Sequence, residues 1–419
     1  MIVSLAELLI LGLIVDWAFR KMTIPGLVGM LFLGVLAGPY VLGWVNPGLL
    51  EISYDFRLLA LIVILLRAGL ELSKETLNRV GGRVVLLSAV PAVIEGAAIT
   101  VLGPPLLGLG YMESAILGAI LAAVSPAVVV PLMIRFMERG MGSEKGIPTM
   151  VLAASSLDDV FVIVIYSVLI GIYTGSSANI AWQLAGIPIS ILLGVGVGLV
   201  AGGLLYRLFH RFDPRATKRV LIVLALSVLF VRGEYLLEPW VPFAALLAVM
   251  ATGFIILEKD EHIAHEISAK LGKIWIFAEI VLFTMVGAQV DLGVAFKAGL
   301  AGAVIIFLGL VARSIGTYGC LLGSDLTFPE RMFVVVSYLP KATVQAAIGG
   351  APLAAMALVG MDQGPGEIIL AVAVLSIVLT APLGAWGISI LGERTLKVGP
   401  EHIHDARDAI VESQGREEN

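Results

Sequence analysis

The sequence contains little charge and almost no cysteine. Charged residues make up 14% of the 419 residues, and Cys320 is the single cysteine. One cysteine excludes an internal disulfide bond and a zinc site built from several thiolates. Hydrophobic residues, by contrast, make up 59%, and the mean hydropathy is +1.00. These values exclude an ordinary water-soluble enzyme and are typical of a protein with many membrane-spanning helices.

Long apolar segments recur along the chain as far as residue 391. Each has about 17–28 residues, enough for a helix to cross the hydrocarbon layer of a membrane. We therefore predict an all-α polytopic membrane protein with 13 transmembrane helices. The first segment lacks a basic n-region and a cleavage site, so we expect a retained helix. The predicted spans cover approximately 3–19, 24–43, 57–73, 83–109, 113–136, 147–173, 183–208, 217–236, 239–257, 272–290, 296–322, 330–358 and 366–391.

Lysine and arginine are distributed unevenly among the loops between these spans. With the N-terminus outside, 21 of the 27 basic residues lie in inside loops and 3 in outside loops. The positive-inside rule favours this orientation. We predict an N-out, C-in protein surrounded by lipid in the inner (plasma) membrane of a prokaryote, with a short charged cytoplasmic tail at 401–419.

Two adjacent aspartates, Asp158 and Asp159, lie in an apolar stretch, residues 149–171, that has no other charge. A carboxylate at membrane depth is costly and needs a partner, water or a cation. Because carboxylate oxygens bind small hard cations and also protons, the pair predicts a shared site for a cation and protons. Ser155, one turn earlier, could add a hydroxyl oxygen, although small residues also serve helix packing. The alternative interpretation of the aspartates is a static buried ion pair.

Two spans contain prolines among polar residues. Proline removes a backbone donor, so we expect unwound backbone near 126–131 and near Pro340. The prolines at 126 and 340 are 214 residues apart, which suggests two inverted repeats whose broken helices cross at a binding site. Simple proline kinks are the alternative. The residues predicted at this crossing are Ser125, Pro126 and Pro131 in VSPAVVVP, and Pro340, Lys341, Thr343 and Gln345 in YLPKATVQA.

Glu95 and Arg313 are the charges in the spans just before the two broken helices, and they are 218 residues apart. Arginine stays protonated, so Arg313 needs an anionic partner. The candidates are Glu95, Asp158 and Asp159. The matching positions favour Glu95, which would leave both aspartates free, whereas pairing with one aspartate would leave only the other to titrate. For Lys341 we favour compensation of a helix dipole over direct contact with the substrate.

Three motifs, SPAVVVP, SSLDD and PKATVQAAIG, occur in this order. They resemble the cation–proton antiporter superfamily, and most closely its NHA-type sodium/proton exchanger branch. The resemblance spans nearly all of the predicted helices. It implies that Asp158 and Asp159 bind the ion and protons, and that Glu95 pairs with Arg313. In the better-known electrogenic bacterial members a lysine stands at the place of Arg313, and an arginine cannot take over a role as proton carrier.

The resemblance also implies a homodimer in which a six-helix core bundle moves against a dimerisation domain. On this basis residues 1–400 form a single transmembrane unit. The core bundle would comprise approximately 83–173 and 296–391, and the dimerisation domain approximately 3–73 and 183–290.

Together these features predict a transporter and not an enzyme. We expect a sodium (or lithium)/proton antiporter with alternating access, in which the cation and protons compete for Asp158 and Asp159. Potassium/proton exchange is the first alternative, because carboxylates do not reveal the size of a cavity. A channel or an organic-anion symporter of similar fold is another. An intramembrane aspartyl protease would need one carboxylate from each of two helices. The sequence has no nucleotide-binding or metal-cluster motif, so we expect no cofactor and no nucleic acid partner.

Overall fold

The structure is a computed structural model, and it describes residues 1–22, 24–72, 74–174, 180–237 and 240–398. Within these ranges the one β-type pairing is an isolated bridge between Met141 and Val398. The predicted all-α class is therefore confirmed for the described part of the chain. The predicted cytoplasmic tail, 401–419, lies outside the described residues.

The described residues form 18 helices. Some of them begin at side chains that accept a bond from the first turn, as Asp260 does from the Ile263 N–H at 3.0 Å. The first eight helices are α1 (Ile2–Lys21), α2 (Gly26–Ala37), α3 (Pro47–Glu51), α4 (Ser53–Gly69), α5 (Lys74–Leu107), α6 (Tyr111–Ala122), α7 (Pro126–Glu138) and α8 (Ile147–Tyr173). The others are α9 (Ile180–Phe212), α10 (Ala216–Leu237), α11 (Ala245–Lys259), α12 (Glu261–Ala288), α13 (Leu292–Lys297), α14 (Gly299–Cys320), α15 (Phe328–Ser337), α16 (Thr343–Ile348), α17 (Ala351–Leu358) and α18 (Gly364–Thr395).

Nine helical segments of the described chain are long and apolar enough to cross a membrane, so this is a multi-pass membrane protein. One of the nine combines α6 and α7. The remaining four predicted spans contain shorter helices, namely α2 with 12 residues, α4 with 17, α11 with 15, and the interrupted series α15–α17. A straight helix needs about 20 residues to span the hydrocarbon layer, so length alone does not establish 13 crossings.

The helices that surround the buried charges pack closely. Helix α5 lies against α6, α8 and α14, while α12 lies against α2 and α4, and α9 against α11. The approach of α5 and α6 requires glycine, because a Cβ atom at Gly118 would lie 2.7 Å from the carbonyl oxygen of Gly96. Glu95 precedes Gly96 and is 1% exposed. The close packing therefore places a buried carboxylate beside the C-terminal part of α6.

Candidate functional site

The first helix break lies between α6 and α7. Residues 123–125 are non-helical, with Ala123 and Ser125 in extended conformations. The sequence predicts unwound backbone near 126–131; the break lies immediately before this stretch and includes the predicted Ser125, because α7 already begins at Pro126. Proline is well tolerated as the first residue of a helix, where its missing N–H has no partner in any case. Pro131 lies inside α7 and therefore away from the break.

The second break lies between α15 and α16, at residues 338–342, and it includes the predicted Pro340 and Lys341. The two breaks touch. The Ser125 N–H donates to the carbonyl oxygen of Pro340 at 2.9 Å, and the hydroxyl groups of Ser125 and Thr343 are 3.4 Å apart. We call the two segments, 123–125 and 338–342, the crossing. Several backbone groups freed by the two breaks form hydrogen bonds inside the protein, as non-helical backbone at membrane depth requires.

Asp158, on α8, faces the crossing and is completely buried. Its Oδ2 atom accepts a hydrogen bond from the Val124 N–H at 2.8 Å. The Nη2 atom of Arg313 lies 3.3 Å from Oδ2 and 3.4 Å from Oδ1. The first break thus uses a backbone N–H freed by unwinding to hold a carboxylate. The sequence contains no signal for this bond, since any residue other than proline at position 124 offers the same donor.

Arg313, on α14, contacts two of its three candidate partners, Glu95 and Asp158. Its Nη1 atom donates to Glu95 Oε2 at 2.9 Å and also to the carbonyl oxygen of Ala122, while Nη2 approaches Asp158. The guanidinium also lies over the ring of Tyr338, 5.3 Å from its centroid. The planar, forked guanidinium makes this possible, because its donors point in several fixed directions.

Lys341 lies at the second break, and its Nζ atom donates to Glu95 Oε2 at 2.7 Å. Its backbone N–H donates to the hydroxyl of Thr380 at 2.8 Å. The sequence suggested a helix dipole or the substrate as the partner of this lysine and did not indicate Glu95. The matching positions of Glu95 and Arg313 had already assigned the glutamate a partner. Two cations therefore share one carboxylate, and all three side chains are at most 2% exposed.

Asp159 follows Asp158 by one residue, so it points about 100° away around α8. It is partly buried, and its Oδ1 atom is shielded from solvent without a hydrogen-bond partner in the described part of the chain. Ser155 is buried one turn earlier, and its hydroxyl donates to the carbonyl oxygen of Leu152 at 3.0 Å. With its proton engaged there, the Ser155 oxygen retains lone pairs that can accept from a donor or bind a cation.

Gln345 fastens the second half of the broken helix to the end of α6. Its Nε2 atom donates to the carbonyl oxygens of Ile120 at 2.9 Å and Ala123 at 3.1 Å. The residue also lines a cavity of about 540 Å³ between the ends of α2 and α12 on one side and α16–α18 on the other. Tyr40, Gln289 and Val374 belong to the same lining. The cavity therefore reaches the helix that is joined to the crossing.

The chain is similar to known proteins along most of its length. The profile of the transmembrane sodium/hydrogen exchangers matches residues 7–393. The chain belongs to the sodium/hydrogen exchanger family. Among its relatives is sodium/hydrogen exchanger 9B2 of Homo sapiens, 32% identical over 399 residues, which are 93% of this chain and 73% of the relative. The corresponding protein of Bison bison bison is 34% identical over 382 residues, 89% of this chain and 70% of the relative.

A solved structure has the same fold. The sodium proton antiporter MjNhaP1 from Methanocaldococcus jannaschii, determined at pH 8, superimposes with a TM-score of 0.74. The match covers 94% of this chain and 98% of that one, at 23% sequence identity. The family match and the exchanger 9B relatives confirm the predicted membership of the NHA-type branch of cation–proton antiporters.

Proposed function

We propose that this protein is a secondary active antiporter that exchanges sodium (or lithium) for protons by alternating access, with Asp159 as the exchanging carboxylate. The observation that carries the proposal is the contrast between two adjacent aspartates. Asp158 is held by Arg313 and by the Val124 N–H, whereas Asp159 Oδ1 lacks a hydrogen-bond partner among the described residues. A buried carboxylate oxygen without a donor is costly unless a proton or a cation reaches it.

The charges around Asp158 balance without any contribution from the substrate. Glu95 and Asp158 carry two formal negative charges, and Arg313 and Lys341 carry two formal positive charges. Balanced and hydrogen-bonded, this cluster has no need to release or take up a proton. The remaining formal charge at the site belongs to Asp159. One proton or one monovalent cation neutralises it, so we propose one proton exchanged per cation.

The ligands offered to the cation are oxygen atoms, which small hard cations prefer. We propose that Asp159 supplies the charged oxygen and Ser155 a hydroxyl oxygen, with Asp158 close by on the same helix. Competition then follows directly, because a bound proton removes the negative charge that attracts the cation. The crossing keeps the site rigid, since the Ser125–Pro340 contact joins the two broken helices beside Asp158.

The same proposal includes the finer features expected from the sequence. These are 13 crossings with the N-terminus outside, two inverted repeats, and a core bundle that moves against a dimerisation domain within a homodimer. They also include residence in the plasma membrane of a prokaryote. The cavity beside Gln345 supports the division into two moving parts, because it separates α2 and α12 from α16–α18. Such a cleft between rigid groups of helices is what alternating access requires.

The test is cation-driven proton flux in proteoliposomes containing the purified protein. We expect Na⁺ or Li⁺ to drive proton movement through the native chain, and we expect Asp159→Asn to abolish it. Asp362→Asn is the matched control, since Asp362 is an exposed carboxylate outside the site. The same flux measured with K⁺ in place of Na⁺ gives the preference of the protein between the two cations. Undiminished flux through the Asp159→Asn protein would contradict the proposal, and larger flux with K⁺ than with Na⁺ would replace sodium by potassium.

A further inference from the structure

The two ends of the membrane-spanning bundle differ in how the helices α7 and α12 meet their neighbours. At one end the cavity lies open, and α12 contributes Val286 and Ala288 to its lining. Glu279 lies seven residues earlier on the same helix, which is about 10 Å along its axis. There the space between α12 and α7 is closed by an ion pair, in which Arg135 Nη2 lies 3.0 Å from Glu279 Oε1.

A second ion pair lies at the same closed end. Arg67, in the last turn of α4, contacts Glu138, the last residue of α7. The Arg67 side chain is 14% exposed and the Glu279 side chain 7%, so each pair includes one largely buried partner. The last turn of α7 is therefore tied to α12 through Arg135 and to α4 through Glu138. Both contacts leave α7 from one face, because residues three apart lie on the same side of a helix.

The other face of α7 is attached to different helices. The ring of Phe136 packs edge to face against Phe333 of α15, with centroids 5.7 Å apart. It also lies against Gly392 of α18, where a Cβ atom would clash with the ring. At its beginning, α7 continues directly from Ser125, which contacts Pro340 at the crossing. Helix α7 thus behaves as a rod of about 20 Å that joins the crossing to the two ion pairs.

We propose that the pairs Arg135–Glu279 and Arg67–Glu138 form a latch. The latch stabilises the conformation in which the cavity is open at the far end, and it separates when α7 and the crossing move relative to α4 and α12. The inference rests on the alternating access of the proposed function, but not on which ion is carried. Ion pairs suit this task because packed interfaces switch between discrete arrangements, and each pair is formed in one arrangement and separated in the other.

Cysteine labelling tests the latch in a Cys320→Ser background, which removes the single native thiol. The reporter is Val128→Cys, since Val128 is fully buried and lies on the latch face of α7, seven residues before Arg135. Its reaction with a membrane-impermeant maleimide applied at the latch end requires the latch to open. We expect Glu279→Gln and Glu138→Gln each to raise the labelling rate about fivefold, as the loss of roughly 1 kcal/mol from a two-state equilibrium would.

The matched control is Met133→Cys, which is equally buried but lies on the opposite face of α7. Its labelling rate should not change in either variant. The charge swap Arg135→Glu with Glu279→Arg should restore slow labelling of the Val128→Cys reporter. An unchanged rate at Val128→Cys in both variants would overturn the proposal, as would equal acceleration of both reporters, which indicates fraying of α7. The labelling is measured without added Na⁺, so its outcome is independent of the flux test of antiport.

Discussion

The two breaks at the crossing hold the buried charges in different ways. The first break, 123–125, works through its backbone, because Val124 N–H binds Asp158 and the Ala123 carbonyl accepts from Gln345. The second break, 338–342, works mainly through side chains, since Lys341 binds Glu95 and the ring of Tyr338 lies against Arg313. Unwinding a helix thus has two effects. It frees peptide groups for hydrogen bonding, and it lets side chains point in directions that a regular helix does not allow.

This difference explains how four charged groups can lie together at membrane depth. The second break supplies a cation to Glu95, which frees part of Arg313 to reach Asp158. The first break supplies a neutral donor to Asp158, so that the aspartate does not depend on Arg313 alone. Within the described residues, Asp159 Oδ1 receives no hydrogen bond of this kind. Substitutions at the two breaks should therefore have separable consequences.

The largest effect is expected for Arg313→Ala, which removes the one side chain common to both acidic groups. Glu95 keeps Lys341, but Asp158 loses the one cationic side chain that contacts it in the described part of the chain, and the Ala122 carbonyl loses a donor. Breaking a buried ion pair by removing one partner costs about 3–5 kcal/mol. We expect a lower melting temperature in detergent and a low yield of folded protein. Arg313→Lys, which keeps the charge, should retain part of the stability; equal losses in both variants would show that charge at this position is unimportant.

A smaller effect is expected at the second break, from Lys341→Met. This change leaves Glu95 with one cation and the cluster with an unbalanced negative charge. Glu95→Gln leaves an unbalanced positive charge, and the double variant restores the balance with Asp158 and Arg313 alone. Thermal unfolding of the three variants should give a coupling energy between Lys341 and Glu95 of about 0.5–3 kcal/mol. The double variant should lose less stability than the sum of the losses in the two single variants. Strict additivity would mean that Lys341 and Glu95 do not act as a pair.

The smallest of these effects is expected at the first break, from Val124→Pro, which deletes the N–H that Asp158 accepts. Ala123, with φ −70° and ψ 136°, already has the conformation that a residue before proline prefers. A hydrogen bond to a charged group is worth about 1.5–3 kcal/mol, so melting should shift by less than in Arg313→Ala. In an Asp158→Asn background the bond is between neutral groups, and the cost of Val124→Pro should shrink. An equal loss of stability on Val124→Pro in both backgrounds would show that the Val124 N–H does not stabilise the charge of Asp158.

Much of this arrangement could be predicted from residue types. The apolar segments predicted an all-α membrane protein, and the isolated charges Glu95 and Arg313 predicted a buried pair that the structure contains at 2.9 Å. The interruption near Pro340 could also be predicted, since proline cannot complete the helix there. In each case a residue stood out because its chemistry was costly in an apolar setting.

The remaining features depend on backbone groups and on packing, and neither is visible in the residue types of the sequence. The sequence predicts the first break near 126–131, and it lies immediately before that stretch, at 123–125, because a proline can start a helix as well as interrupt one. The bond from Val124 N–H to Asp158 uses a group that nearly every residue carries. The second partner of Glu95 depends on the register between α5 and the second break. Sequence spacing suggested one partner for this glutamate, and the packing supplies two.

The most direct test of the account is the membrane potential at which coupled flux reverses in proteoliposomes under fixed Na⁺ and proton gradients. If Asp158 remains held by Arg313 and Val124 while Asp159 alone exchanges, one proton moves per sodium ion and no net charge is carried. Flux should then reverse where the two ion gradients are equal, whatever potential is imposed. A reversal point that shifts with potential, as exchange of two protons per sodium ion requires, would show that a second group besides Asp159 takes up and releases a proton, and it would contradict the assignment of exchange to Asp159 alone.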